Sequence, residues 1–223
     1  LAPQIVTSEL PPQEVPFYIP ALGQPSRARR TLKHGDTFAV LDSHGDIGLF
    51  TGSADGLFNR DTRYISRLEL LGNGVSPLLL GSHIREDNSV LTVELTNPDF
   101  YEGGALVLHK DNLLIRRNFF LWGDAAYSRI GVQNLAQNKV ECDLTLIFAN
   151  DFAYIVELRG ITRARRGSSM VRRSPTSAYT DIVYQGLDNE ERTSSFQFDP
   201  PPRLLEDHRA HYKISLQAGE RCS

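Results

Sequence analysis

The sequence predicts an all-β fold: a large antiparallel two-sheet β-sandwich of the supersandwich type, with little helix. Three observations carry this expectation. Apolar and polar residues alternate with period two along most of the chain; the alternating runs are rich in β-branched and aromatic residues and are broken by Gly, Asn and Asp; and only one short stretch has a helical spacing. Ten or so strands in 223 residues need two packed sheets, because a single open sheet would leave a face and its edges uncovered.

The elements follow in chain order. Six of the twelve prolines fall within the first 25 residues. Proline fixes φ and lacks the amide donor, so residues 1–30 are expected as a Pro-rich extended arm and residues 31–223 as the sandwich domain. Strands are expected over 36–42, 64–71, 78–85, 89–95, 112–121, 126–134, 139–148, 180–187, 193–198 and 209–216. The clearest places Val140, Cys142, Leu144, Leu146 and Phe148 on one face and Glu141, Asp143 and Thr145 on the other. Gly72-Asn73-Gly74 reads as a hairpin turn because positive φ is cheap there, and Ser43-His44-Gly45-Asp46 reads as another. Residues 151–157 carry apolar side chains three and four apart with Asp151 as a cap, which predicts one or two helical turns. Residues 159–173 hold six arginines among Gly and Ser and are expected as a long mobile loop.

Composition narrows the function. The chain is 40% apolar and 23% charged, and its 24 basic and 27 acidic residues leave a net charge of −3, which argues against nucleic acid as a partner. No run of about 18 uncharged apolar residues exists, and the N-terminal stretch lacks a signal-peptide pattern, so no membrane partner is expected. Cys142 and Cys222 lie far apart with Cys142 facing inward, and no Asn-x-Ser/Thr acceptor is present; together these favour a cytoplasmic setting.

Catalytic motifs give little. The sequence has no Gly-x-Ser-x-Gly elbow, no Ser-x-x-Lys and no Walker glycine loop. His208 and His211 sit on a strand where a spacing of three points them to opposite sides, so hydrogen-bonded or surface histidines are expected rather than a metal pair. Carboxylates are plentiful, but spacing alone does not identify a glycosidase pair. The conspicuous segment is 56–70. Extended from Asp61, it places Asp61, Arg63, Arg67 and Glu69 on one face and Thr62, Tyr64, Ser66, Leu68 and Leu70 on the other; the charged row is either a solvated face or a surface that meets another domain or a sugar. Trp122, the single tryptophan, is either a partly exposed sugar platform beside a Gly-Asp turn or a core or edge-capping residue, and tryptophans are mostly buried.

Three sets of residues are recognisable together: Lys33-His34-Gly35-Asp36-Thr37-Phe38-Ala39-Val40-Leu41-Asp42; Gly56-Leu57-Phe58-Asn59-Arg60-Asp61-Thr62-Arg63-Tyr64-Ile65-Ser66; and Arg85-Glu86-Asp87-Asn88 with Leu91-Thr92-Val93-Glu94-Leu95-Thr96-Asn97-Pro98. With Ile115-Arg116-Arg117 and the stretch from Asp151-Phe152-Ala153 to Glu157-Leu158-Arg159-Gly160, the chain from Thr31 to Ser223 resembles the N-terminal domain of bacterial amylo-α-1,6-glucosidase-like glycogen debranching enzymes. The resemblance implies a β-sandwich preceding an (α/α)-barrel that carries the glycosidic acid and base. No such barrel fits in this chain, and the ending at 214–223 reads as a domain fragment cut before it. The expected function is a non-catalytic accessory domain with that C-terminal catalytic domain as its partner, and α-glucan as a further one. The alternatives are a stand-alone carbohydrate-binding module or, third, a self-sufficient hydrolase. No catalytic residue, cofactor or metal ligand is expected; Arg60, Asp61, Arg63, Arg67 and Trp122 are the candidates for interface or sugar contact.

Overall fold

The computed structural model describes residues 27–48, 54–159, 165–174 and 178–223. The expected arm lies outside the described residues up to residue 26, and residues 160–164 of the expected basic loop lie outside them too. Among the described residues the chain forms eighteen strands. They are β1 (Arg30–His34), β2 (Thr37–Leu41), β3 (Gly56–Asn59), β4 (Thr62–Ile65), β5 (Arg67–Gly72), β6 (Leu78–Ile84), β7 (Val90–Thr96), β8 (Phe100–Glu102) and β9 (Ala105–Leu108). The second half supplies β10 (Leu113–Trp122), β11 (Ala125–Asn134), β12 (Val140–Ala149), β13 (Ser168–Arg173), β14 (Tyr179–Gln185), β15 (Glu191–Gln197), β16 (Leu204–Leu205), β17 (Arg209–Leu216) and β18 (Arg221–Cys222).

The fold is all-β and antiparallel, but the two-sheet sandwich is not what these strands build. They form a first sheet β1-β2-β3-β4, a second β18-β11-β10-β7-β6, a third β16-β17-β12-β5, a fourth β13-β14-β15 and the hairpin β8-β9. Their arrangement is closer to a four-bladed propeller than to two facing sheets. The reason is local. Strands of four or five residues make up the first sheet, and the chain bends at Ser66, so β4 and β5 enter different sheets instead of forming the single strand expected over 64–71.

The core is one apolar cluster fed by alternate residues of each sheet. Leu32 and Leu41, then Leu91, Val93 and Leu95, then Leu113, Ile115 and Phe119 are buried within it. The face expected on β12 is also there: Val140, Cys142, Leu144 and Phe148 are buried and Leu146 is partly buried against them. Burial pushes the Cys142 thiol up to about 12, so it packs as a small neutral apolar group.

Two expectations fail for identifiable reasons. Residues 151–157 do not form a helix: Phe152 has φ of +47°, Tyr154 makes a bridge with Thr62, and only Glu157–Arg159 closes a single 3-10 turn. Residues 168–173 are strand rather than loop, paired with β14 from Ser168↔Gln185 to Arg173↔Thr180. Their side chains stay largely exposed, so no amphipathic alternation marks the strand in sequence. Its arginines reach acids of other segments, Arg173 to Asp207 at 3.1 Å and Arg172 to Glu191 at 3.7 Å, instead of repelling one another.

Buried asparagines tie the strand ends together. Asn134 is 0% exposed; its Nδ2 donates to the carbonyls of Asn138 (2.8 Å), Leu216 (3.1 Å) and Gln217 (3.0 Å), and its Oδ1 accepts from the Ala136 amide (2.8 Å). The second and third sheets are joined there. Asn134→Ala removes four side-chain hydrogen bonds to backbone groups at one buried junction, so it is expected to cost about 3 kcal/mol and lower Tm by roughly 9 °C. Urea melting checks this; a loss below about 1 kcal/mol contradicts the joining role.

Candidate functional site

The segment most recognisable in the sequence begins with the tight β3–β4 turn. Arg60 and Asp61 both take positive φ, 45° and 65°, the pattern of a two-residue hairpin turn. Arg60 stays in water beside Asp36, at 3.7 Å with both side chains mostly exposed, a contact of little energetic weight. Asp61 is exposed, and its carbonyl accepts from the Ile155 amide at 2.8 Å.

Arg63 does not share a charged face with Arg67. Its guanidinium turns inward and grips Asp151 with two parallel N–H groups, Nε to Oδ1 at 3.0 Å and Nη2 to Oδ2, while Nη1 donates to the Asp55 carbonyl at 3.1 Å. Its backbone amide donates to Ala153 O at 2.9 Å. Gly56 makes room for this: a Cβ there would lie 2.5 Å from Arg63 Cδ and 2.8 Å from the Phe58 ring. Phe152 next to Asp151 is wedged edge-on against Tyr64 (5.4 Å between ring centroids) and stacked on Tyr184 (5.1 Å), which links the first and fourth sheets. Arg67, beyond the bend, lies on the exposed side of β5 with Glu69 at 2.5 Å.

A second charged group lies deeper and was not singled out in the sequence. Asp46 follows β2 in a loop, and its Oδ1 accepts from Arg117 Nη1 of β10 at 2.6 Å and from the Leu70 amide of β5 at 3.2 Å. Arg27 reaches Asp42 at 2.8 Å and Asp46 at 3.3 Å, and Asp42 Oδ1 accepts from the amides of His44 and Asp46. Burial pushes the Asp46 carboxyl up while Arg117 pulls it back, and burial with the charges of Arg27 and Arg117 pulls His44 down. A turn closes at 43–46 as expected, but it is not a hairpin, since β2 pairs with β3 and Ile47 bridges to Leu68 of the third sheet; its second function, presenting a carboxylate to two other sheets, has no local signature.

The outward surface is different in character. Trp122 is 68% exposed, against the burial common for tryptophan, and rests on His34 with ring centroids 5.2 Å apart. Two residues back on the same face, Phe120 stacks on Tyr127 of β11 at 4.9 Å. Beside this pair opens a cleft of about 1460 Å³ with walls from three sheets and from β15, lined by Tyr64, Phe120, Asp124, Tyr127, Arg129 and Tyr212 among others. Asn59 Nδ2 bridges its rim by donating to Thr37 Oγ1 (2.8 Å) and Asp124 Oδ1 (3.2 Å). Burial, with Asp199 nearby, pushes the Tyr212 phenol up to about 12, so it is a neutral hydroxyl there. Apolar rings edged by hydroxyls, amides and single charges suit a sugar face or a protein surface.

His211 is hydrogen-bonded, Nδ1 to Thr145 Oγ1 at 3.1 Å and Nε2 to Glu206 at 3.3 Å. Among the described residues no group of three or more His, Cys, Asp or Glu is placed to hold a metal ion, and no helix is long and apolar enough to cross a membrane.

Residues 32–223 match a family model described as the N-terminal domain of some glycogen debranching enzymes. No curated protein matches the chain.

Two outcomes are expected from the charged groups. Arg63→Ala strands the partly buried Asp151 and is expected to cost about 3 kcal/mol, with the added change Asp151→Ala recovering part of the loss; strictly additive losses in a double-mutant cycle contradict the pairing. His44 has its pKa lowered in the folded state, so on acidification the unfolded chain takes up the proton first and stability falls as pH drops through about 6.5. Tm is therefore expected to fall between about pH 7 and pH 5.5, and His44→Asn to remove part of that fall. Asp46, with its carboxyl pushed up, acts with the opposite sign, stability rising as pH falls from its raised folded value toward the ordinary carboxylate value.

Proposed function

We propose an accessory role for this chain, which belongs to the family of N-terminal domains of glycogen debranching enzymes. In this reading it is a non-catalytic domain that supports a following (α/α)-barrel catalytic domain of the same polypeptide and shapes the approach of the glucan. The observation that carries it is the cleft: a wide opening framed by four sheets, with the exposed aromatic rings of Phe120 and Tyr127 on its rim. Exposed rings such as Phe120 and Tyr127 suit contact with another surface. Arg60, Asp61 and Arg67 present charge to water on the first and third sheets and are the proposed polar contacts. Arg63, turned inward on Asp151, acts behind them by fixing the β3–β4 turn from which Arg60 and Asp61 project.

The exposure of Trp122 favours a second reading, direct α-glucan binding by the rim. An aromatic face packs against the C–H groups of a sugar ring, and Trp122 with the Phe120–Tyr127 pair offers two such faces on one side of β10 and β11.

The two readings separate by experiment. The isolated chain is expected to release no glucose from a branched dextrin; protein-dependent release lost on mutating a carboxylate of this chain refutes the accessory reading. Trp122 is the only tryptophan and stands two residues from Phe120 on the same face of β10, so its fluorescence reports on a sugar bound at that aromatic face. The accessory reading predicts no saturable change with maltoheptaose up to millimolar concentration. A saturable change abolished by Tyr127→Ala selects the glucan-binding reading.

A further inference from the structure

β11 is covered unequally on its two sides. β10 pairs with it along all ten residues, from Leu113↔Asn134 to Trp122↔Ala125, without a register break. On the other side β18 meets only Val132 and Gln133. Residues 125–131 have no strand partner on that side among the described residues.

The hydrogen bonds fix which backbone groups are left open. On the β18 side the Asn134 amide donates to Glu220 O (2.9 Å) and the Asn134 carbonyl accepts from the Gly219 amide (3.1 Å). The Leu135 amide donates to Asn112 O on the β10 side. Backbone groups alternate along a strand, so Val132, Ile130, Ser128 and Ala126 direct their amides and carbonyls toward the β18 side, and Tyr127 and Arg129 direct theirs toward β10. Val132 faces Cys222; Ile130, Ser128 and Ala126 face the cleft. A regular edge of this length is a template for another strand, and proteins ordinarily blunt such edges with proline, a bulge or a cover. Here there is no proline and no bulge, and the one charge, Arg129, already donates to Ser223 Oγ at 2.9 Å.

β18 points along this edge. Its antiparallel register, Cys222 opposite Val132 and Arg221 opposite Gln133, brings Ser223 opposite Gly131 and directs the chain toward Ile130 and beyond. The cleft is open along the same line, with Ser223 and residues 125–130 all in its wall.

We infer that the free edge of β11 is taken by the polypeptide that follows residue 223 in the parent enzyme, as a strand of about six further residues continuing β18 antiparallel to residues 125–130. The inference rests on the proposed reading that a further domain follows this one. The link to that domain is then a strand of this domain's second sheet and holds the two in a fixed relation, where a flexible tether would not.

Amide hydrogen exchange tests it on three proteins: the 223-residue chain, the same chain extended by ten residues of the parent sequence, and the full-length enzyme. In the 223-residue chain Ala126, Ser128 and Ile130 are expected to exchange quickly while Tyr127 and Arg129 are protected. In both longer proteins the three open amides should slow by at least about 100-fold. Exchange of Ala126, Ser128 and Ile130 at the same rate in all three proteins overturns the inference, and leaves the accessory reading standing on its own glucose-release and fluorescence tests. Protection in the 223-residue chain that grows with protein concentration also overturns it, because a second copy then occupies the edge.

Discussion

The Asp46 carboxylate is the point on which the arrangement of the sheets depends. It leaves the first sheet in the loop after β2, accepts from Arg117 of the second sheet and from the Leu70 amide of the third, and is closed off by Arg27. Arg117 and Asp46 are each about 2% exposed, so the pair is held in a low-dielectric surrounding where either partner alone would be costly. Such a pair adds little or nothing to stability compared with a well-packed apolar replacement, but it admits few geometries. Three sheets that met through apolar contacts alone would slide with little penalty; a bidentate-capable guanidinium and a backbone amide converging on one carboxylate fix their angles.

Around that junction the other ties are arranged by the same logic. Arg63 and Asp151 clamp the β3–β4 hairpin to the segment before the 3-10 turn, and the column Tyr64–Phe152–Tyr184 carries that clamp into the fourth sheet. Ser194 Oγ donating to Tyr64 O at 2.7 Å closes the same corner. Asn134 and Asn97 finish strand ends, the latter donating to Pro98 O and His109 O and accepting from the Leu113 amide. Asp46, Arg117 and Asn134, all buried, are thus occupied with holding sheets to one another.

What faces outward is the part free to act: the Arg60–Asp61 turn, the Arg67–Glu69 pair, Trp122 on His34, the Phe120–Tyr127 stack and the cleft beside it. A rigid frame with an open, aromatic-rimmed side fits a domain whose family is defined by its place at the N-terminal end of larger enzymes. The open edge of β11 lies in the same cleft, so the proposed contact surface and the proposed strand continuation share one location on the fold.

The sequence by itself determined the strands with strong alternation. The pattern over 139–148 is β12, that over 112–121 is β10, and the Gly72-Asn73-Gly74 turn stands where positive φ was needed. It also pointed to the segment 56–70 and to Trp122. Only the tertiary structure decided that Arg63 faces inward, that Trp122 faces outward, that 168–173 is a strand and that the strands divide among several sheets. The physical reason is range. Period two records whether a residue's own neighbourhood is apolar, and the turn residues record local φ. Arg63 finds Asp151 across 88 positions, and Arg117 finds Asp46 across 71. Partners so far apart leave no periodic mark, and sheet membership is settled by which of them meet.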